Sequence, residues 1–375
     1  MKHALLLAFT YHKNIYGVSK ITRLTGTCND LKMMVIFCIQ KGVPVQNITI
    51  LTDLSELPKE CENCNVKYNN YPESVFICRE LAQFVENTVR GIEDSAEKSD
   101  SELPQILVYI SGHGAMLKVE TPEIREEQGL VILDNGGTEI CYFTTKDIFN
   151  VIFGRIPMTS SGNISIPIYI KNISLIPVEK NGAKSYKEHI STELKFVDVA
   201  LSPVCQSPSN SPGMTVRRHR STYNSNRGIP PWSQVLFIID ACHSAHMVHF
   251  PYIYCPKDQV MKSFKLENVF VDHEDMPYCV SISSCEMENK TKSAREGSYL
   301  TQAIFTTLMT ITVPLNVIQF FYYVVNSKPP RIPYPSQRRS KYLFPVLSST
   351  SNNVDSQVPF FSENSLIVRP KKVIK

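Results

Sequence analysis

Val235-Leu236-Phe237-Ile238-Ile239-Asp240-Ala241-Cys242-His243-Ser244 is an apolar run of strand length that ends in a carboxylate, a small residue, a thiol and an imidazole. The run does not alternate with polar residues, so it reads as a strand covered on both faces by helices. The residues after it then form the loop leaving the strand's C-terminal end, where open α/β sheets place their chemistry. Gln105-Ile106-Leu107-Val108-Tyr109-Ile110, followed by Ser111-Gly112-His113-Gly114, has the same form. Its glycines free the backbone to turn sharply and to approach a ligand closely. If the two strands are parallel neighbours, His113 and Cys242 project from one edge of one sheet. That is a Cys–His pair, the minimal apparatus of a cysteine hydrolase. His243 touches Cys242 in sequence, but adjacent side chains usually diverge, so His113 is the better candidate base. Trp232, just before the strand, reads as a packing anchor.

The rest of the chain supplies the alternation around these two stretches. Residues 4–10 are a first strand. Thr27 is a helix N-cap, with Asp30 near the positive end of the helix that follows. Leu31, Met34, Val35 and Cys38 form its apolar face, and Gly42 stops it. Residues 47–52 are a second strand. Pro72-Glu73 opens a second helix with Val75, Phe76, Leu81, Phe84 and Val85 as its stripe. Residues 129–133 are a fourth strand and 144–152 a short helix. This order predicts a mostly parallel sheet with helices on both faces. After about Gly154 the composition turns to Ser, Asn, Pro and Thr, with short β-like runs at 164–170 and 194–199. That segment reads as a partly disordered insertion. The sheet resumes at 235–239, with another strand at 278–284. Residues 299–325 lack charge, but Thr306, Thr307, Thr310, Thr312, Asn316 and Gln319 interrupt them. They fit two buried helices divided by Pro314 better than a membrane span. The expected organisation is residues 1–153 carrying the His, an insertion at 154–231, residues 232–348 carrying the Cys, and a flexible tail at 349–375.

Composition narrows the class. A chain of 375 residues with 43% hydrophobic and 20% charged residues has room for a large α/β core. A net charge of +4 is too small to imply nucleic-acid binding by itself. The eleven cysteines are odd in number and spread along the chain, which suits free thiols in a reducing cytoplasm. The apolar N-terminus is cut short at Tyr11-His12-Lys13 with no cleavage site, so it reads as a core strand and not a secretory signal. Cys61-Glu62-Asn63-Cys64 lacks further ligands at zinc spacing and reads as a surface loop.

Ser111-Gly112-His113-Gly114, followed much later by Asp240-Ala241-Cys242-His243-Ser244, resembles the metacaspases, within the wider caspase-like cysteine proteases. Leu24-Thr25-Gly26-Thr27-Cys28-Asn29-Asp30 is similar to the metacaspase Leu-Arg-Gly-Cys-x-Asn-Asp. Ser283-Ser284-Cys285-Glu286 is similar to the strand that opens the small-subunit region, and Pro335-Ser336-Gln337 to the usual C-terminal end. The likeness spans most of residues 1–348 apart from the insertion. It implies a three-layer α/β/α caspase-like fold on a mostly parallel six-stranded sheet. It also implies Cys242 as nucleophile, His113 as base, and the N–H groups of Gly114 and Cys242 as oxyanion donors. Asp30, Ser111 and Asp240 would hold a basic residue before the cut. Two converging carboxylates suit a guanidinium and repel an aspartate.

The sequence departs from that pattern in three places. Thr27 replaces the motif cysteine, unless the alignment slides by one onto Cys28. Glu127, Thr145, Lys146 and His249 stand near positions where metacaspases carry calcium-binding aspartates. Lys146 and His249 supply no oxygen ligand, so no metal or cofactor is expected and calcium dependence is in doubt. The segment between His113 and Cys242 is also longer than usual, and it contains Arg217-Arg218-His219-Arg220. A basic loop inside a protease that prefers basic residues is a candidate for self-cleavage. The expectation is therefore a cytoplasmic, monomeric cysteine endopeptidase cutting polypeptides after Arg or Lys, without nucleic-acid or membrane partners. Its rival is an inactive caspase-like scaffold or decoy that binds proteases or their substrates.

Overall fold

The computed structural model describes residues 1–12, 21–96, 103–121, 123–137, 139–156, 159–160, 162–180, 183–200, 228–242, 244, 250–255, 260–263, 277–284, 293–294, 296–310, 316–327 and 345–350. In chain order the first half runs β1 (Lys2–Ala8), α1 (Thr27–Gln40), β2 (Ile48–Thr52), β3 (Asn65–Tyr68), α2 (Ser74–Ala96), β4 (Gln105–Ser111), β5 (Gly114–Thr121), β6 (Glu123–Asp134), β7 (Glu139–Thr144), α3 (Thr145–Ile152), β8 (Asn163–Lys180) and β9 (Ala183–Ala200). The second runs β10 (Gln234–Asp240), β11 (Tyr252–Cys255), β12 (Val260–Ser263), β13 (Tyr278–Ser283), β14 (Ser293–Ala294), β15 (Gly297–Ser298), α4 (Tyr299–Thr310), α5 (Val317–Asn326) and β16 (Val346–Ser349).

The apolar runs form one mixed sheet ordered β12-β11-β16-β13-β10-β4-β1-β2-β3. Its strands from β13 to β3 are six and parallel. Beyond β13 the sheet continues antiparallel through β16, β11 and β12, so among the described residues it has nine strands where six were expected. Antiparallel additions need no helical crossover, which is why short, weakly patterned segments can supply them. The sheet carries a core on each face. Leu6, Leu107, Leu236 and Ile282 pack with α1, α4 and α5, while Leu7, Val108, Phe237 and Ile239 pack with α2 and α3. This makes three layers, α/β/α.

The fourth strand is not in this sheet. Residues 129–133 belong to β6, which pairs antiparallel with β5 and β7 in a second sheet ordered β5-β6-β7-β8-β9. β6 starts two residues after β5 ends, leaving no length for a crossover helix, so β5 and β6 pair as a hairpin. The runs at 164–170 and 194–199 lie inside β8 and β9, which pair from Asn163–Ala200 to Lys180–Ala183. Ile164, Ile166, Ile168 and Ile170 alternate inward and join the α2–α3 core with Val197 and Val199.

Local details differ from expectation around α1 and α2. Gly26, not Thr27, is the N-cap of α1. Thr27 is buried, and its hydroxyl reaches the Phe9 carbonyl at 3.4 Å. α2 starts at Ser74, whose N–H and hydroxyl donate to the Asp134 carboxylate at 2.7 and 2.5 Å. Val75 is 55% exposed, and Ile77 and Cys78 take its place in the core. Cys61 is not on a surface loop: it is buried in the core beneath α1, and burial pushes its thiol up to about 12. α5 buries Val317, Phe320, Phe321 and Val324 at helical spacing behind an Asn316–Gln319 capping box. Among the described residues, no helix is long and apolar enough to cross a membrane.

Phe237 of β10 lies within 6.1 to 6.3 Å, centroid to centroid, of Phe149, Phe153 and Phe250. Phe237→Ala is expected to cost about 3–5 kcal/mol in urea unfolding. A loss below about 1 kcal/mol would mean that this aromatic cluster does not pack against the strand.

Candidate active site

β4 and β10 pair residue for residue, from Gln105 opposite Gln234 to Ser111 opposite Asp240. Just past that level the chain leaves both strands, through Gly112-His113-Gly114 and through Ala241-Cys242. β1 leads to β2 and β3 in one direction, while β4 leads to β10 and β13 in the other. The β4 loop therefore borders the switch point between β1 and β4, where open α/β sheets bind ligands, and the β10 loop lies next to it. They touch at Gly114, where an added Cβ would lie 2.0 Å from the Cys242 carbonyl oxygen and 3.2 Å from its nitrogen. Neither Gly112 nor Gly114 has a positive φ. Glycine is needed here for close approach to the neighbouring loop, not for a sharp turn. Gly114 and the Cys242 backbone, the two expected oxyanion donors, are thus side by side.

The Nε2–H of His113 donates to the Thr22 carbonyl at 2.6 Å. A carbonyl can only accept, so Nε2 carries the proton and Nδ1 is left to accept one. Burial lowers the His113 pKa, and the Thr22 bond opposes that shift. The imidazole is kept neutral, the form a general base requires. Cys242 is half-buried and reduced. Its loop is anchored by Ser284 at the end of β13. The Ser284 hydroxyl donates to the Ala241 carbonyl at 2.9 Å, and its N–H lies 3.1 Å from the Ser244 hydroxyl. His243, His249 and Arg217–Arg220 lie outside the described residues.

Asp30, Ser111 and Asp240 converge on the α1–α4 face of the same edge. Ser111 and Asp240 are opposite each other in the ladder, and Asp30 comes from the first turn of α1. Ser298 joins the two acids: its N–H donates to Asp30 Oδ1 at 2.7 Å and its hydroxyl to Asp240 Oδ2. Thr301 adds its N–H at 3.2 Å and its hydroxyl at 2.7 Å to the same Asp240 oxygen. Asp240 Oδ1 is buried without a hydrogen-bond partner among the described residues. Asp30 is 1% exposed, and Asp240 and Ser111 are 3% exposed. Burial raises both carboxyl pKa values, and the Asp240 charge raises that of Asp30 further. An ammonium or guanidinium would relieve this pair. Neutral serine and threonine donors take that place.

The described residues near the positions compared with calcium-binding aspartates have other contacts. Thr145 is buried and its hydroxyl donates to the Gln128 carbonyl at 3.1 Å. Thr144 caps α3, its hydroxyl accepting the Asp147 N–H at 3.1 Å, and burial pushes the Asp147 carboxyl up to about 7. Among the described residues, Asp134, Glu139 and Cys141 lie close enough to share an ion. Asp134 is already engaged by Ser74 and by Lys195 at 3.5 Å, which fits a structural cluster.

No family model matches the chain, and no curated protein matches it in sequence. Among solved structures it is similar to protein GSU0716 from Geobacter sulfurreducens, with a TM-score of 0.46 and 11% identity over 96% of this chain and 98% of that one. It is also similar to caspase-1 from Spodoptera frugiperda, with a TM-score of 0.35 and 11% identity over 86% of this chain and 75% of that one.

Thr22, Ser298 and Thr301 belong to the site and lie outside the motifs quoted from the sequence, whereas Ser284 stands in one of them. In the sequence Ser298 and Thr301 stand only at the start of an uncharged segment read as helical, with Ser298 a residue type that favours an N-cap. Thr22 contributes a backbone carbonyl, which no residue type announces.

Two outcomes are expected. Gly114→Ala should slow alkylation of Cys242 and cost about 1–3 kcal/mol of stability, because the added methyl meets backbone. Unchanged reactivity and stability would show that the loops are apart. The buried acids set a pH trend. Their folded pKa values lie above the unfolded value of 3.8, so their contribution is present below that value and lost as pH rises through the folded ones. Asp240→Asn should make the fall of the thermal midpoint with rising pH shallower, since Asp30 no longer faces a second charge. A slope equal to wild type would mean that the two acids do not interact.

Proposed function

We propose that this chain is a caspase-like cysteine endopeptidase of metacaspase type, cutting after Arg or Lys. The observation that carries it is the contact of Gly114 with the Cys242 backbone. It sets the His113 and Cys242 loops side by side, directly beyond a buried pair of acids. Cys242 gives its thiol proton to Nδ1 of His113, and the sulfur attacks the scissile carbonyl. The N–H groups of Gly114 and Cys242 receive the oxyanion. His113 returns the proton to the leaving amine, and water then releases the acyl group from sulfur. Asp30, Asp240 and Ser111 bind the basic side chain before the cut. The segment with Arg217–Arg220 is a site of self-processing. If active chain and Cys242→Ala run identically on a denaturing gel, self-processing is lost.

A second reading has its own observation. The acids are capped by Ser298 and Thr301 and almost inaccessible, as suits a scaffold that binds proteases or substrates without cutting. A peptide panel with Arg, Lys or Asp before the cut separates the two, run with and without calcium. Turnover of the Arg and Lys peptides, lost in Cys242→Ala and independent of calcium, is expected. Turnover of the Asp peptide would overturn the acidic pocket. No turnover by folded chain would favour the scaffold.

A further inference from the structure

Tyr11 lies three residues past the end of β1 and is almost fully buried. Its φ is 54°, a left-handed conformation uncommon for a bulky residue. Asp53, after β2, holds it there. The N–H groups of Thr10 and Tyr11 donate to separate oxygens of the Asp53 carboxylate at 2.6 Å each, and the Thr10 hydroxyl adds a bond of 3.0 Å. The turn aims the phenol at the His113 loop. Tyr11 Oη donates to the Val131 carbonyl at 2.7 Å and accepts the His113 N–H at 3.1 Å. The Val131 N–H donates directly to the His113 carbonyl at 2.8 Å. In a regular antiparallel ladder such a pair exchanges both bonds directly. Here a tyrosine hydroxyl is spliced into one of them. The ring also packs on the imidazole, with centroids 4.8 Å apart and planes tilted by 46°. A Cβ at Gly112 would come within 3.0 Å of Oη, so the loop is shaped to admit the phenol.

We propose that Tyr11 is a positioning residue for His113: its hydroxyl sets the His113 backbone and its ring sets the imidazole, so that Nε2 meets Thr22 while Nδ1 serves Cys242. Asp53 acts through Tyr11 by holding the turn. The inference rests on the Cys242–His113 dyad proposed above.

The test follows iodoacetamide alkylation of Cys242, read on its own peptide by mass spectrometry, across the neutral pH range. Wild type, Tyr11→Phe, His113→Ala and the double variant are compared. Tyr11→Phe keeps the ring and removes the spliced hydroxyl. It is expected to slow alkylation about three- to tenfold, as for one lost hydrogen bond, and to shift the pH at which the rate rises. In the His113→Ala background it should change nothing further. A wild-type rate and profile in Tyr11→Phe overturns the inference. So does an equal slowing in the His113→Ala background, because a merely structural tyrosine would act there too. Wild-type reactivity in His113→Ala would overturn the dyad, and the inference with it. That failure is distinct from one in which His113→Ala is slow and Tyr11→Phe is not. Should Tyr11→Phe not fold, Asp53→Asn with the same readouts is expected to give the same direction, and an unchanged profile there overturns it.

Discussion

The in-register pairing of β4 with β10 is the constraint on which the rest depends. Side chains in a strand alternate between faces, so a slip of one residue reverses every one of them. Such a slip would turn Asp240 away from Ser111 and Tyr109 and into the apolar core of α2 and α3. It would also bring Val235, Phe237 and Ile239 to the face that now holds Leu236 and Ile238. Both faces are packed, so both oppose the slip. The level at which the two loops leave the sheet is therefore set by the hydrophobic cores and needs no bond within the site.

One physical cause acts with opposite signs across that edge. Removing water disfavours charge, which raises the pKa of the acids Asp30 and Asp240 and lowers that of the His113 imidazole. The imidazole is kept neutral and receptive, while the acids are left wanting a cation. Ser298 and Thr301 answer that need only in part, since they bring dipoles and no charge. The site is thus built with its electrostatics unbalanced in the direction that a basic ligand would correct.

Much of this was legible in the sequence because the decisive strands are uninterrupted apolar runs. Val235 to Ile239 and Ile106 to Ile110 have no other comfortable place than a sheet covered on both sides. Their loops then bring Cys242 and His113 to one edge. The second sheet was less legible. Residues 129–133 look alike in a parallel or an antiparallel partner, and only the brevity of the link between β5 and β6 decides. β16, β11 and β12 are too short to stand out from the segments around them. Tyr11 was visible only as the residue that ends an apolar run. Its role depends on a backbone conformation imposed by Asp53 from a different strand, and no local pattern contains that information.

The middle of the main sheet is completed late in the chain. β10 sits between β4 and β13, yet Gln234 follows its partner Gln105 by 129 residues. At ordinary rates of synthesis that interval lasts on the order of ten seconds. Through it β4 presents an unpaired edge of apolar residues, the kind of surface that invites wrong pairing. The β5–β9 sheet is made of hairpins between near neighbours and can assemble in the meantime. It covers one face of the growing sheet and not that edge. The strand that closes the gap is the one that carries Cys242 to its place. A growing chain therefore holds the imidazole well before it holds the thiol, and the loops that carry them come together only when the sheet is complete.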